Sequence, residues 1–310
     1  MGCGVVNVPS HEDDLFLSAS FRLARFAKEV KSSHQSSREV VRILNRVKSN
    51  DPKITKICLR GQRNIDDLDA LKLAIALRGN TNVTSIDLGG CHLTSEGAKC
   101  LFKTLRKNST VRILRLDGNS IGNKGAKAAA EALLKGKLLL TRLDLSENGI
   151  KVDGATSLAG ALCVCELERL DLGGNEICDK GAEEIASTLY LNTKLAKLGL
   201  DGNEIGSGPA KLLAEALRHN GTLLCLDLRA NLIGKEGVKA FTETIAHNNT
   251  LVELVFDSDQ APPVLAEKIN NCLRRNSIDA EEKGMREIAA ARKGRLEKRK
   301  SQRCLEGCLL

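Results

Sequence analysis

The residues of this chain best suited to catalysis or metal binding are five histidines and eleven cysteines. Hydrolytic or acyl-transfer chemistry needs a nucleophile with a base set beside it. His11, His34, His92, His219 and His247 fall at scattered positions, with no nucleophile or carboxylate placed consistently next to them. The close cysteine pairs, Cys163/Cys165 and Cys304/Cys308, lack metal-site spacing and neighbouring histidines. No glycine-rich phosphate loop is present. The expectation is a chain with no catalytic centre, no metal and no cofactor. A second set of residues recurs in phase. Arg115, Arg142, Asp144, Arg169, Asp171 and Lys197 lie one period apart, with Arg112 close by. Such residues recognise another molecule rather than transform it, so the elements that space them decide what they do.

Those elements are repeats. The pattern L-x-x-L-x-L-x-x-N-x-L is clearest from Leu140 to Asn148 and from Leu167 to Asn175. It recurs at Leu195–Asn203, Leu223–Asn231 and Val111–Asn119, with weaker copies from Ile54, Val83 and Leu251. Consecutive starts are 27 to 29 residues apart, long enough for a strand and a full helix per unit. The last two leucines of L-x-x-L-x-L are two apart and point to one side of a strand. The residues between them face the other way. The column Asn119, Asn148, Asn175, Asn203 and Asn231 sits where each strand ends, and an amide there can bond backbone groups the sheet leaves unpaired. Gln62, Cys91 and Asp259 break the column in the outer units. The second half of each unit is spaced as a helix, for example Ala126, Ala129, Ala130, Leu133 and Leu134. Asn-Thr and Asn-Gly pairs such as Asn192-Thr193 and Asn220-Gly221 suit helix termination, and sequons such as Asn108-Ser109-Thr110 are read as the same turn chemistry. The expected fold is an α/β solenoid, a horseshoe of about eight repeats with parallel strands on its concave face and helices on its convex face. Residues 54–276 form it, residues 1–53 precede it as a segment with a helical cap, and 277–310 follow as a basic helical tail.

Composition agrees. Hydrophobic residues make up 42% and charged residues 28%, which suits a continuous core. Aromatics are 2%, so the core is aliphatic, and single-stranded nucleic acid would find no stacking platform. Unpaired, scattered cysteines point to thiols in a reducing compartment and a cytoplasmic chain. No stretch approaches the roughly 20 apolar residues needed to span a bilayer.

The ends carry other signals. Ser36-Ser-Arg-Glu39 reads as a capping box that opens a helix carrying Val40, Val41, Ile43 and Leu44. After Pro262-Pro263 an apolar helix from Val264 to Leu273 is expected to close the last repeat. Residues 286–303 contain eight basic and two acidic residues, so six of the chain's eight net positive charges lie there. Met1-Gly2-Cys3 begins like an acylated protein, with Gly2 open to myristate and Cys3 to palmitate, although Val6 stands where Ser or Thr belongs. An acyl chain and a basic tail together would give peripheral membrane contact.

The units Leu143–Asn148 and Leu170–Asn175 resemble the leucine-rich repeats of the ribonuclease-inhibitor-like class, which includes innate immune receptors, Ran GTPase activators and tropomodulins. The edges resemble tropomodulin in particular. Val41 to Pro52 is similar to that family's lead-in, a helix followed by Asn50-Asp51-Pro52. Leu251-Val-Glu-Leu254, with Asp257 and Gln260, is similar to its last repeat. The resemblance implies a non-enzymatic protein-binding scaffold whose partner is actin or an actin-associated protein. Eight repeats are more than the usual tropomodulin repeat domain has. A regulator of a small GTPase, or a membrane-tethered adaptor, is the alternative, although Ran activators carry an acidic segment where this chain has a basic one. On the concave face the bets for partner contact are Arg112, Arg115, Arg142, Asp144, Arg169, Asp171 and Lys197. The competing expectation is that these charges satisfy one another across strands.

Overall fold

A computed structural model describes residues 38–135 and 138–281. The chain divides into two compact units, Met1–Ile177 and Cys178–Leu310, a boundary that the repeat pattern does not mark. The lipidation candidates Gly2 and Cys3, residues 1–37 and the basic run 286–303 lie outside the described residues.

The first unit opens with α1 (Arg38–Lys48) and alternates strand and helix: β1 (Lys56–Cys58), α2 (Asp67–Leu77), β2 (Ser85–Asp87), α3 (Ser95–Leu105), β3 (Ile113–Arg115), α4 (Gly122–Lys135), β4 (Arg142–Asp144), α5 (Val152–Leu162) and β5 (Arg169–Asp171). Its strands pair in sequence order, all parallel, each residue opposite its equivalent in the next repeat. The second unit continues with α6 (Cys178–Leu189), β6 (Lys197–Gly199), α7 (Ser207–His219), β7 (Cys225–Asp227), α8 (Gly234–Ile245) and β8 (Glu253–Val255). Here β6, β7 and β8 pair in the same parallel manner. A 3-10 turn, Ser258–Gln260, and a helix over 263–281 end the described chain. The fold is the α/β leucine-rich-repeat solenoid that the repeat pattern implies.

One repeat shows why the residues fold this way. Leu143 and Leu145 alternate with Arg142 and Asp144, so the leucines turn inward and are buried. Leu140 and Ile150 seal the two ends of the strand segment. On α5, Ala155, Leu158, Ala159 and Leu162 recur at helical spacing and close the layer from behind. Small residues set how near neighbouring helices come. A Cβ on Gly154 would stand 2.8 Å from Asn123 Oδ1 and 3.1 Å from the Ala126 Cβ of α4. Burial does not reach every apolar position expected on the helices, and Leu134 at the end of α4 is exposed.

The turn after each strand needs a left-handed residue, and glycine fills it at Gly118, Gly174 and Gly202. Glu147 and Ala230 hold the same place, at φ 53° and 51°. Next comes the asparagine column. Asn148 Nδ2 donates to the carbonyls of Leu116 (2.9 Å) and Ser146 (2.8 Å), and its Oδ1 accepts from Ile121 N–H at 3.2 Å. Asn175 repeats the pattern toward Asn148 and Ile150 N–H, at 3.0 and 2.9 Å. In the second unit Asn231 accepts from Asn203 and Ile205 N–H, both at 3.0 Å. Asn119 holds Leu93 N–H at 3.0 Å.

A second buried asparagine column runs along the other end of the repeats. Asn80 and Asn108 belong to the first unit, and Asn192, Asn220, Asn248 and Asn276 to the second. Asn108 Nδ2 donates to Asn80 O at 3.1 Å, and Asn276 Nδ2 to Asn248 O at 3.0 Å. The Oδ1 atoms of all but Asn276 also fold the turn into the next strand, as Asn220 does with Thr222 and Leu223 N–H. Turn chemistry is therefore half of their role, and the other half is to tie one repeat to the next.

The edges are closed by side chains. On α1, Val40 and Val47 are buried while Val41 is exposed, and Asn80 Nδ2 reaches back to Val47 O at 2.9 Å. Arg46 meets Asp51 at 2.8 Å. At the far edge Gln260, one place beyond Asp259, bonds the backbone of the preceding repeat. Its Nε2 donates to Asn231 O at 2.7 Å and its Oε1 accepts from Gly234 N–H at 3.1 Å. The closing helix is longer than the expected Val264–Leu273. It begins at Pro263, whose missing N–H no helix needs at that position, and it buries Ile269, Leu273 and Asn276 while Val264 stays exposed.

Candidate protein-binding face

The outward residues of β1–β5 form the strand face of the first unit, and most of their charges are engaged. Arg60, just beyond β1, crosses two strands. Its two terminal nitrogens meet both Asp117 oxygens at 2.7 and 2.6 Å, and its Nε meets Asp87 at 3.1 Å. These carboxylates hold its guanidinium firmly protonated. Arg115 lies 3.9 Å from Asp87, and Arg169 lies 3.9 Å from Asp171, distances at the limit of an ion pair. Asp144 does not pair with Arg142. Its Oδ1 accepts from Ser146 N–H at 3.2 Å and Oγ–H at 2.7 Å. Burial pushes the Asp144 carboxyl above its ordinary range, the Ser146 bonds oppose this, and the nearby Asp171 and Asp117 charges add to it.

Arg142 is left over. It is exposed, and among the described residues its guanidinium has no hydrogen-bond or ion-pair partner. Register sets it directly opposite Arg169 on the adjacent strand. Together Ile113, Leu114, Arg115, Arg142, Leu143, Asp144, Arg169 and Asp171 line a shallow depression of about 100 Å³.

One residue expected on this face serves the backbone instead. Arg112 precedes β3, and its Nη1 donates to the carbonyls of Ser109 (2.7 Å) and Val111 (3.3 Å), so it secures the turn into the strand. Lys197 belongs to β6 in the second unit, where register sets Cys225 between Lys197 and Glu253. Burial pushes the Cys225 thiol up, a bond donated by the thiol to Glu253 adds to the rise, and Lys197 opposes it. Beyond β7, Arg229 closes on Asp227 through its Nε and Nη2.

Nothing in this geometry concentrates reactive groups. The eight described cysteines are free thiols. Among the described residues no cluster of His, Cys, Asp and Glu could hold a metal, and no helix is long and apolar enough to cross a membrane. His219 sits near Glu215 at 3.6 Å and against the Tyr190 ring at 4.7 Å between centroids.

A stack of strand–helix units with a closed interior and an open strand face defines a repeat protein whose working surface is its backbone ribbon. Five segments, 79–102, 107–128, 138–159, 165–186 and 219–241, match the model of the Leucine Rich repeat family. The chain thus carries leucine-rich repeats over these segments. It is 34% identical to Leucine-rich repeat-containing protein 45 of Gallus gallus over 36% of this chain and 17% of that protein. Leiomodin-2 of Gallus gallus is 33% identical over 31% of this chain and 17% of its own length. Ribonuclease inhibitor of Sus scrofa is 28% identical over 45% of this chain and 31% of its own. The chain therefore spans less than a third of the length of these curated relatives.

Arg60 and Asp117 were not among the expected contact residues. They occupy one repeat position, two residues past the outward Cys58 and Arg115, and scanning that position for opposite charges would have found them.

Proposed function

We propose that the chain is a non-enzymatic scaffold that binds a protein partner through the strand face over β3–β5. The observation that carries this reading is Arg142, an exposed cation without a partner among the described residues, set directly opposite Arg169. Arginine is enriched where interfaces concentrate their binding energy. The partner favoured is actin or an actin-associated protein, and the support is the likeness of both edges to tropomodulin, at Asn50-Asp51-Pro52 and at Leu251–Leu254. Cytoskeletal placement follows from the same likeness. Contact with a membrane rests on sequence alone, on Gly2, Cys3 and residues 286–303.

Pyrene-actin depolymerisation from gelsolin-capped filaments tests the actin reading, since only pointed ends are then free to lose subunits. Slowed depolymerisation at substoichiometric protein is the expected result. Unchanged rates at micromolar protein would remove actin-end binding. Co-sedimentation with anionic liposomes, with and without residues 286–310, tests the tether in the same way.

A further inference from the structure

We propose that the depression over β3–β5 receives a carboxylate side chain of the protein partner, an Asp or Glu held between Arg142 and Arg169 with Arg115 at the rim. This rests on the scaffold reading above and names the chemistry of its contact.

The first ground is register. Arg142 and Arg169 are directly opposed on neighbouring strands, whose backbones lie about 4.8 Å apart. Like charges directly opposite destabilise a sheet unless something intervenes. An anion between two guanidinium groups converts that repulsion into charge-assisted hydrogen bonds from both sides.

A second ground is that nothing nearby already fills this role. Asp144 is taken up by Ser146. Asp171 stands 3.9 Å from Arg169 and reaches no closer to it. Arg115 stands just as far from Asp87, whose other partner, Arg60, is 3.1 Å away.

Charge balance supplies the third. Three arginines and two aspartates line the depression, which leaves one positive charge. A single carboxylate neutralises it. A phosphoryl group, at about −1.5 to −2 near neutral pH, overshoots and meets Asp144 and Asp171 at close range. The volume of about 100 Å³ admits the end of one side chain.

The test is an NMR titration of arginine Nε–Hε signals in the full chain. The probe is the blocked peptide acetyl-Ala-Glu-Ala-amide, run beside its Gln and phosphoserine counterparts. Saturable shifts of the Arg142 and Arg169 signals with the Glu peptide are expected, with the Gln peptide silent. In Arg142→Gln/Arg169→Gln the midpoint should rise at least tenfold. Lys127→Gln/Lys135→Gln removes two exposed charges from α4 and should leave the midpoint within twofold. Far-UV circular dichroism confirms that both variants fold. Shifts that fail to saturate, or that fall equally in both variants, would overturn the site. Tighter binding of the phosphoserine peptide by tenfold or more would overturn the choice of carboxylate. The titration contains no actin, so its failure removes the carboxylate site and leaves the scaffold reading to the filament assay.

Discussion

The strand faces of the two units rest on the same scaffold and differ in what they do with charge. Over β6–β8, Cys225 separates Lys197 from Glu253, and Arg229 is clasped by Asp227. Over β3–β5, two arginines stand opposed, and one of them has no partner among the described residues. The inward residues are nearly interchangeable: Leu143 and Leu145 in one unit, Leu226 and Leu228 in the other, all buried, with Asn148 and Asn231 in equivalent places. The lesson is that inward positions build the solenoid and outward positions are free to vary. A binding face arises where the outward charges fail to cancel.

The scaffold half of this comparison is the easiest to break. Leu143→Ala and Leu226→Ala each remove a buried strand leucine and should each cost about 2–5 kcal/mol in urea unfolding. Loss of one leucine without effect would deny that both units share this interior. Asn148→Ala and Asn231→Ala strand buried carbonyls and N–H groups in adjacent repeats, at about 1–3 kcal/mol each by the same measurement. A milder effect separates the turns. Ala230 occupies a left-handed position that glycine fills elsewhere, so Ala230→Gly should raise stability by about 0.5–1 kcal/mol. Thermal melts would show it, and a lower melting temperature would mean that the strain is not there.

The smallest effect concerns pH. Asp144 holds its proton more tightly when folded, because burial and like charges raise its carboxyl. Its contribution to stability is complete below the unfolded carboxylate pKa of about 3.9 and is lost as pH rises through the higher folded value. Asp144→Asn keeps an acceptor for Ser146 and cannot lose a proton. The variant should therefore melt higher than wild type at pH 7, with the gap closing toward pH 3. A gap that widens at low pH would reverse the sign.

How legible the fold was can be followed through particular residues. Every strand begins two residues after its repeat start, from Lys56 after Ile54 to Glu253 after Leu251, because alternation fixes which leucines turn inward. The asparagine column from Asn119 to Asn231 was legible for the same reason. The second column was visible as letters, at 80, 108, 192, 220, 248 and 276, yet its inter-repeat bonds were not, because an Asn before a strand also suits an ordinary turn. Gln260, one residue beyond Asp259, bonds Asn231 O and Gly234 N–H instead, groups that the column pattern does not mark. The outward face was least legible. Arg60 reaches Asp117 across two strands, and Arg112 folds back on Ser109. Side-chain reach of that kind is not written in a period of 27 to 29 residues.

The most direct measurement is comparative affinity purification with the full chain as bait, in three forms: wild type, Arg142→Glu/Arg169→Glu, and Lys197→Glu/Arg229→Glu, with captured proteins quantified by mass spectrometry. Binding through β3–β5 requires that the first variant lose the wild-type partners by at least tenfold while the second retains them. Equal retention by both variants, or loss confined to the second, would contradict it.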